Sequence, residues 1–126
     1  MNIEGDECAV DGPLPSGAVV VSDVPGSVVC RLDGALDLDT VGAARVLLDE
    51  ALASPARVLV VDLAAVAFCD SSGLNLLLQT RLAARDAGTS MHLAALPDQV
   101  MRLLELTGAS EIFPLYDSAS NALHSP

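Results

Sequence analysis

Residues 56–63 read ARVLVVDL, a nearly continuous apolar run. A strand with one wet face alternates apolar and polar side chains, because successive residues point to opposite sides. A run that is apolar on both parities must be covered on both faces. Such strands sit in the middle of parallel or mixed sheets that have helices packed on them. This one stretch therefore sets the frame into which the remaining segments must fit.

The flanking segments supply the other strands and the helices. AVVVSDVPGSVVCRLDG (18–34) holds two β-rich runs around Pro25-Gly26, a hairpin signal. In the second run Val28, Cys30 and Leu32 alternate with Val29, Arg31 and Asp33, so the first set faces a core, with Cys30 a core residue, and the second a wetter side. ALDLDTVGAARVLLDEALAS (35–54) follows. Asp39 or Thr40 is placed to cap a helix whose Val41, Ala44, Leu47, Leu48 and Ala51 recur at helical spacing. AAVAFCD (64–70) reads as a short loop into a second helix, from Ser71 to Ala87, with Leu74, Leu77, Leu78 and Leu82 as its stripe and Gly88 at its end. SMHLAAL (90–96) reads as a strand. Pro97 opens a third helix carrying Val100, Leu103, Leu104 and Thr107 on one face, with Gly108 after it. EIFPLY (111–116) reads as a last strand, and Asp117 as the cap of a final short helix toward Leu123. The order β-β-α-β-α-β-α-β-α predicts an α/β fold, a mixed sheet of about five strands with about four α-helices packed against it. Residues 1–16, acidic and rich in Gly and Pro, are expected to form a flexible tail, and residues 17–124 a single domain.

Charge and composition narrow the function. The net charge is -11, from 17 acidic and 6 basic residues, all six of them Arg. Like charge repels DNA, RNA and anionic lipid, so no direct nucleic-acid or membrane partner is expected. A partner with a basic surface suits this balance, and simple solubility explains it as well. Aromatic residues make up 2% and Trp is absent, so there is no platform for stacking bases. Cys8, Cys30 and Cys69 are three cysteines at wide spacing, with no CxxC pair and no Cys/His cluster, which fits a reducing cytoplasm and a chain without a metal. The stretch MNIEGDECAV has acids where a secretory leader needs basic residues, and no run approaches the ~18 apolar residues of a membrane helix.

The stretch FCDSSGLNLLL (68–78) is the one unusual turn. It joins the buried strand to a helix, so Ser71 and Ser72 stand at a helix N-terminus with unpaired N–H groups and the positive end of the dipole. Asp70 or Ser71 as a plain N-cap is the simplest reading. A nucleophile elbow needs Gly two residues before and after its Ser. Cys69 and Gly73 flank Ser71, Asp70 and Leu74 flank Ser72, and neither pair fits. The only candidate bases are His92, in a predicted strand, and His124, near the C-terminus. No GxGxxG or GxxxxGK[ST] motif and no Lys is present to hold a nucleotide phosphate. Asp33, Asp37 and Asp39 cluster without the pattern of a calcium loop. Covalent modification is the remaining reading: a phosphoserine adds about -1.5 to -2 charges and three acceptor oxygens, which a helix N-terminus tolerates.

VDLAAVAFCDSSGLNLLL (61–78) resembles the signature of STAS domains, in particular the bacterial anti-sigma factor antagonists. RLDGALDLDT (31–40) resembles the family's Gly-Glu-Leu-Asp turn, with Ala35 where Glu is usual, and LPDQVMRLLELTGASEIFPLYDSASNAL (96–123) resembles its C-terminal third. The resemblance spans residues 18–123. It implies the STAS fold and a cytoplasmic partner switch without catalytic machinery or cofactor. The unphosphorylated antagonist would bind an anti-sigma factor serine kinase and free a sigma factor. Phosphorylation at Ser71 would release it, and a PP2C-type phosphatase would reset it. On the same footing Asp37, Asp70, Ser71, Ser72, Gly73 and Leu74 would form the partner-binding turn, with Asp37 near the modified Ser. Two alternatives stand beside it: a constitutive STAS binding module indifferent to Ser71, and a small hydrolase dependent on His92. Cys69 is expected to have no redox role, because Asp70 beside it disfavours a thiolate.

Overall fold

A computed structural model describes residues 18–21 and 24–124. Within them strand β1 (Ala18–Val21) runs antiparallel to β2 (Ser27–Leu36), with Val21 opposite Val28. Strands β2, β3 (Val58–Cys69), β4 (Ser90–Ala94) and β5 (Leu115–Tyr116) are parallel, and the spatial order is β1-β2-β3-β4-β5. Helices α1 (Val41–Ala53), α2 (Ser71–Asp86) and α3 (Asp98–Thr107) make the crossovers, a 3₁₀ turn covers Ala109–Glu111, and α4 (Ala119–His124) ends the described chain. The predicted order of elements holds, and this is a mixed sheet with four α-helices.

The central strand owes its double apolar parity to helices on both sides. Leu59, Val61 and Leu63 of β3 join Leu32, Leu93, Leu48, Leu77 and Leu104 in the main core under α1, α2 and α3. Val60 points the other way and packs with Val29, Ala94 and Ala122 beneath α4. Val29 is thus buried, although its parity assigns it to the wetter side; α4 supplies the cover. Farther along that parity Arg31 meets Asp62 across the strands at 3.5 Å.

Several local expectations change. AAVAFC is not a loop: β3 continues through it to Cys69, paired with β2 as far as Leu36 opposite Cys69. Register shifts between Arg31/Asp33 and Gly34/Ala35 let the two long strands stay paired, and they also break the period-2 pattern that would have marked this stretch. In α2 the core side is built from Leu74, Leu76, Leu77, Thr80 and Ala84. Leu76 is 1% exposed and Leu82 is 47% exposed, so Leu82 leaves the expected stripe, because α1 and the sheet together enclose a broader face than a single i, i+4 row. Thr40 occupies the N-cap of α1 without a capping bond. Its hydroxyl instead donates to Ala35 O (2.7 Å) and accepts from Asp37 N (3.0 Å). Ser118 rather than Asp117 caps α4, accepting from Asn121 N at 3.0 Å. The last strand shrinks to Leu115–Tyr116, since part of EIFPLY lies in the 3₁₀ turn and Phe113 is drawn into the core. The expected flexible tail, 1–16, lies outside the described residues.

Candidate functional site: the turn between β3 and α2

Parallel strands leave their C-terminal ends on one edge of the sheet, where the chain turns into the helices. The pairing of Leu36 with Cys69 puts the next residues, Asp37 and Asp70, at adjacent strand ends, and Asp70 N–H donates to Leu36 O at 3.2 Å. Asp70 is the N-cap of α2, in extended backbone with φ -109° and ψ -167°. Its Oδ1 accepts from Ser72 N (2.8 Å) and Gly73 N (3.3 Å), satisfying two donors that the helix start leaves free. The capping reading thus falls on Asp70 rather than Ser71. Removing the carboxylate in Asp70→Ala is expected to lower stability by about 1 kcal/mol, while Asp70→Asn, which keeps an acceptor, should lose little. Urea unfolding of the two variants checks this.

The six residues that the sequence singles out fall into an outer and an inner set. Ser71 is exposed, and Asp37, Asp70 and Ser72 are partly exposed. Gly73 and Leu74 are buried and shape the turn from within. A Cβ on Gly73 would lie 2.6 Å from Leu36 O, 2.7 Å from Cys69 Sγ and 2.8 Å from Leu36 Cβ, so the helix start touches the end of β2. Asp37 is occupied by its own turn: Oδ1 accepts from Asp39 N (3.0 Å) and lies 3.3 Å from the Thr40 hydroxyl oxygen. That turn holds Leu38 outward, 78% exposed, beside the same strand ends.

Cys69 lies directly under the turn, 1% exposed. Burial first, and then the Asp70 carboxylate, push its thiol up to about 11. Burial, with a weaker push from Glu50, takes Cys30 up to about 12. Both thiols are therefore protonated and unreactive at neutral pH. A folded pKa raised above that of the unfolded chain stabilises the fold below the ordinary thiol value of 9.0, and the stabilisation is lost as pH rises through the folded values. Stability is accordingly expected to be level up to about pH 8 and to fall between about pH 9 and 11, by about 1.4 kcal/mol per pH unit for each thiol ionised in the unfolded chain. Urea midpoints across that range, with Cys30→Ala and Cys69→Ala for comparison, check it.

One residue at the turn escapes the sequence reading. Gln99, in the first turn of α3, accepts from Cys69 N through Oε1 and donates to Cys69 O through Nε2, both at 2.8 Å. No spacing signals a pair 30 residues apart. The residues proposed for other chemistry stay away from the turn. His92 lies in β4 with its ring 5.3 Å from that of Tyr116, and burial lowers its pKa. His124, in α4, bonds Ser120 O through Nδ1 at 2.9 Å. Among the described residues no cluster of His, Cys, Asp and Glu is arranged to hold a metal, and no helix is long and apolar enough to cross a membrane.

Comparison with known proteins places this geometry among relatives. The STAS domain family profile matches residues 18–122. A Paenibacillus polymyxa protein named anti-sigma F factor antagonist is 34% identical over 99 residues, which is 78% of this chain and 85% of that protein. The anti-sigma-F factor antagonist RsfB of Mycobacterium tuberculosis is 32% identical over 107 residues, 83% of this chain and 85% of the relative. The crystal structure of an anti-sigma factor antagonist from Mycobacterium paratuberculosis superposes with a TM-score of 0.74 at 30% identity, covering 86% of this chain and 92% of that one.

Proposed function

The chain belongs to the STAS-domain family, and from that premise we propose that it is an anti-sigma factor antagonist whose grip on its partner is switched by phosphorylation of Ser71. The observation that carries the reading is the placement of Ser71: exposed, first in α2, immediately after the capping Asp70. The names of the 32–34% identical relatives supply the partner class, an anti-sigma factor. The finer parts of the reading are a serine kinase activity in that partner, a PP2C-type phosphatase and a cytoplasmic setting.

The chemistry needs little from this chain beyond presentation. The kinase transfers the γ-phosphoryl group of its own ATP to Ser71 Oγ, releasing ADP and a proton. The phosphatase hydrolyses the phosphoester with water, returning the hydroxyl and releasing inorganic phosphate. Asp70 already takes the N–H groups of Ser72 and Gly73, so a phosphate on Ser71 is not drawn down onto the helix terminus. Repelled by the Asp70 carboxylate, it stands outward, where a partner would dock on Asp37, Leu38, Asp70 and Ser72. The fold stays intact while the docking surface gains about two negative charges. A partner seated over Ser71 meets the added bulk and charge directly, and any acid it presents there is repelled, so the docked contact is lost.

A pull-down from native lysate with wild type, Ser71→Ala and Ser71→Glu as baits tests the reading, with bound proteins identified by mass spectrometry. Retention of an anti-sigma serine kinase by Ser71→Ala and its loss from Ser71→Glu is the expected result. Identical proteins on all three baits would leave Ser71 without a switching role and make the chain a constitutive binding module. Phosphorylation that survives Ser71→Ala and vanishes in Ser72→Ala would move the site by one residue.

A further inference from the structure

We propose that Gln99 is the positioning residue of the Ser71 turn: its side-chain amide replaces a missing strand partner at Cys69 and so couples the start of α3 to the presentation of the phosphoacceptor. The inference rests on the reading of Ser71 as that acceptor.

The need for such a residue follows from unequal strand lengths. Strand β3 pairs with β2 as far as Cys69 but with β4 only as far as Asp62 opposite Ala94. Beyond Asp62, β3 outruns its neighbour on that side, among the described residues. In an extended strand one residue's N–H and C=O point to the same side, so an overhang leaves pairs of backbone groups unmet. At Cys69 both groups are met by one side chain, because a primary amide carries a donor and an acceptor with the layout of a peptide group. From the β2 side Asp70 N–H holds Leu36 O. The two residues before Ser71 are thus gripped from opposite sides, by a strand on one and by α3 on the other.

The path that brings Gln99 there is itself unusual. After β4 the chain turns through Ala95, whose φ of 58° is left-handed and rarely held by a residue other than glycine. Such strain persists only where the surroundings over-determine it. Here Ala95 N–H donates to Tyr116 O at 2.9 Å, and Pro97, with φ -62°, then starts α3. The strained reversal delivers the first turn of α3 to the end of β3. Gln99 is exposed and adds nothing to the core, so the bracket on Cys69 is its contribution. No other side chain substitutes well. Ala removes both bonds, Asn falls a methylene short, and Glu lacks the donor and sets an oxygen against Cys69 O.

The test joins amide hydrogen exchange of the full chain with the rate of Ser71 phosphorylation by the kinase captured on the Ser71→Ala bait. Gln99→Ala and Gln99→Glu are compared with Val60→Ala, which weakens the core beneath α4 without touching the turn. In Gln99→Ala exchange at Cys69 N–H is expected to quicken about tenfold, the loss of one charge-neutral hydrogen bond, whereas Gln99→Glu keeps an acceptor for that N–H and loses the bond to Cys69 O. Because small misplacements of a reacting group are costly, kcat/KM for phosphorylation should fall by about tenfold to 100-fold. Val60→Ala should show neither effect. Unchanged protection at Cys69 in Gln99→Ala would overturn the bracket. Faster exchange with unchanged phosphorylation would overturn positioning, and so would an equal fall in Val60→Ala. If no kinase is captured, the Ser71 reading fails and this proposal with it, and the exchange data show whether the bracket itself was sound.

Discussion

Gly73→Ala is expected to be the most damaging small substitution in this chain, although alanine is ordinarily the better helix former. In an open helix the change would gain about 1 kcal/mol. Here the new methyl carbon would stand 2.6 Å from Leu36 O and 2.7 Å from Cys69 Sγ, closer than atoms approach without something moving. Neither neighbour yields easily. Leu36 O belongs to the backbone of β2 and accepts from Asp70 N–H, while Cys69 is buried and its backbone is held by Gln99. Overpacking of this kind costs about 1–3 kcal/mol and sometimes more, and rigid neighbours place this site toward the upper end. A net loss of about 2 kcal/mol or more is expected in urea unfolding. The partner-binding surface should suffer as well, because relief of the clash pushes the start of α2 away from β2. A stability equal to or above wild type would show that α2 does not seat against Leu36 as described.

Ser71→Glu carries the largest expected effect on binding. Ser71 is exposed, and no described residue hydrogen-bonds its hydroxyl, so neither Ser71→Ala nor Ser71→Glu should change stability by more than about 0.5 kcal/mol. The binding consequences should diverge sharply. Alanine leaves the docking face as it is and cannot be phosphorylated, so the partner should stay bound. Glutamate places a charge beside Asp70 and Asp37 on a face that, in the proposed function, meets a partner. Like-charge or desolvated contacts of that sort cost several kcal/mol, so affinity should drop by about 100-fold. A carboxylate has one charge and two oxygens against about two charges and three oxygens for a phosphate, so genuine phosphorylation should weaken binding further. Isothermal titration with the captured partner measures both. Equal affinities for the three proteins would remove the switch while leaving the fold untouched.

The main features of the fold were legible because they rest on patterns local to each segment. VLVV in β3 carries apolar residues on both parities, and only a strand covered on both faces explains that; α4 over Val60 and the larger helices over Leu59 and Val61 are the cover. Gly108 ends α3 with φ 81°, a conformation that glycine adopts freely. Asp70 was a legible cap because the acid precedes the helical stripe by the interval that capping requires. The extension of β3 through AAVAFC was not legible. Extra residues of β3 at the two register shifts disrupt the alternation there, and Ala64, Ala65 and Ala67, all exposed, give no burial signal.

The turn itself divides the same way. That an acid, two serines and a glycine open a helix is a property of the chain, and so is the match to the STAS family. Which of those residues meets solvent and which is locked inside depends on what arrives from elsewhere: Leu36 against Gly73, and Gln99 against Cys69. Sequence by itself determined the order of the elements, the central buried strand and the capped helix start, because side-chain periodicity and N–H satisfaction act over a few residues. Only the tertiary structure decided that glycine is compulsory at 73 and that Gln99, thirty residues beyond Cys69, meets the backbone groups of that cysteine. Close approach and the pairing of an overhanging strand edge are relations between segments, and they leave no mark on either segment alone.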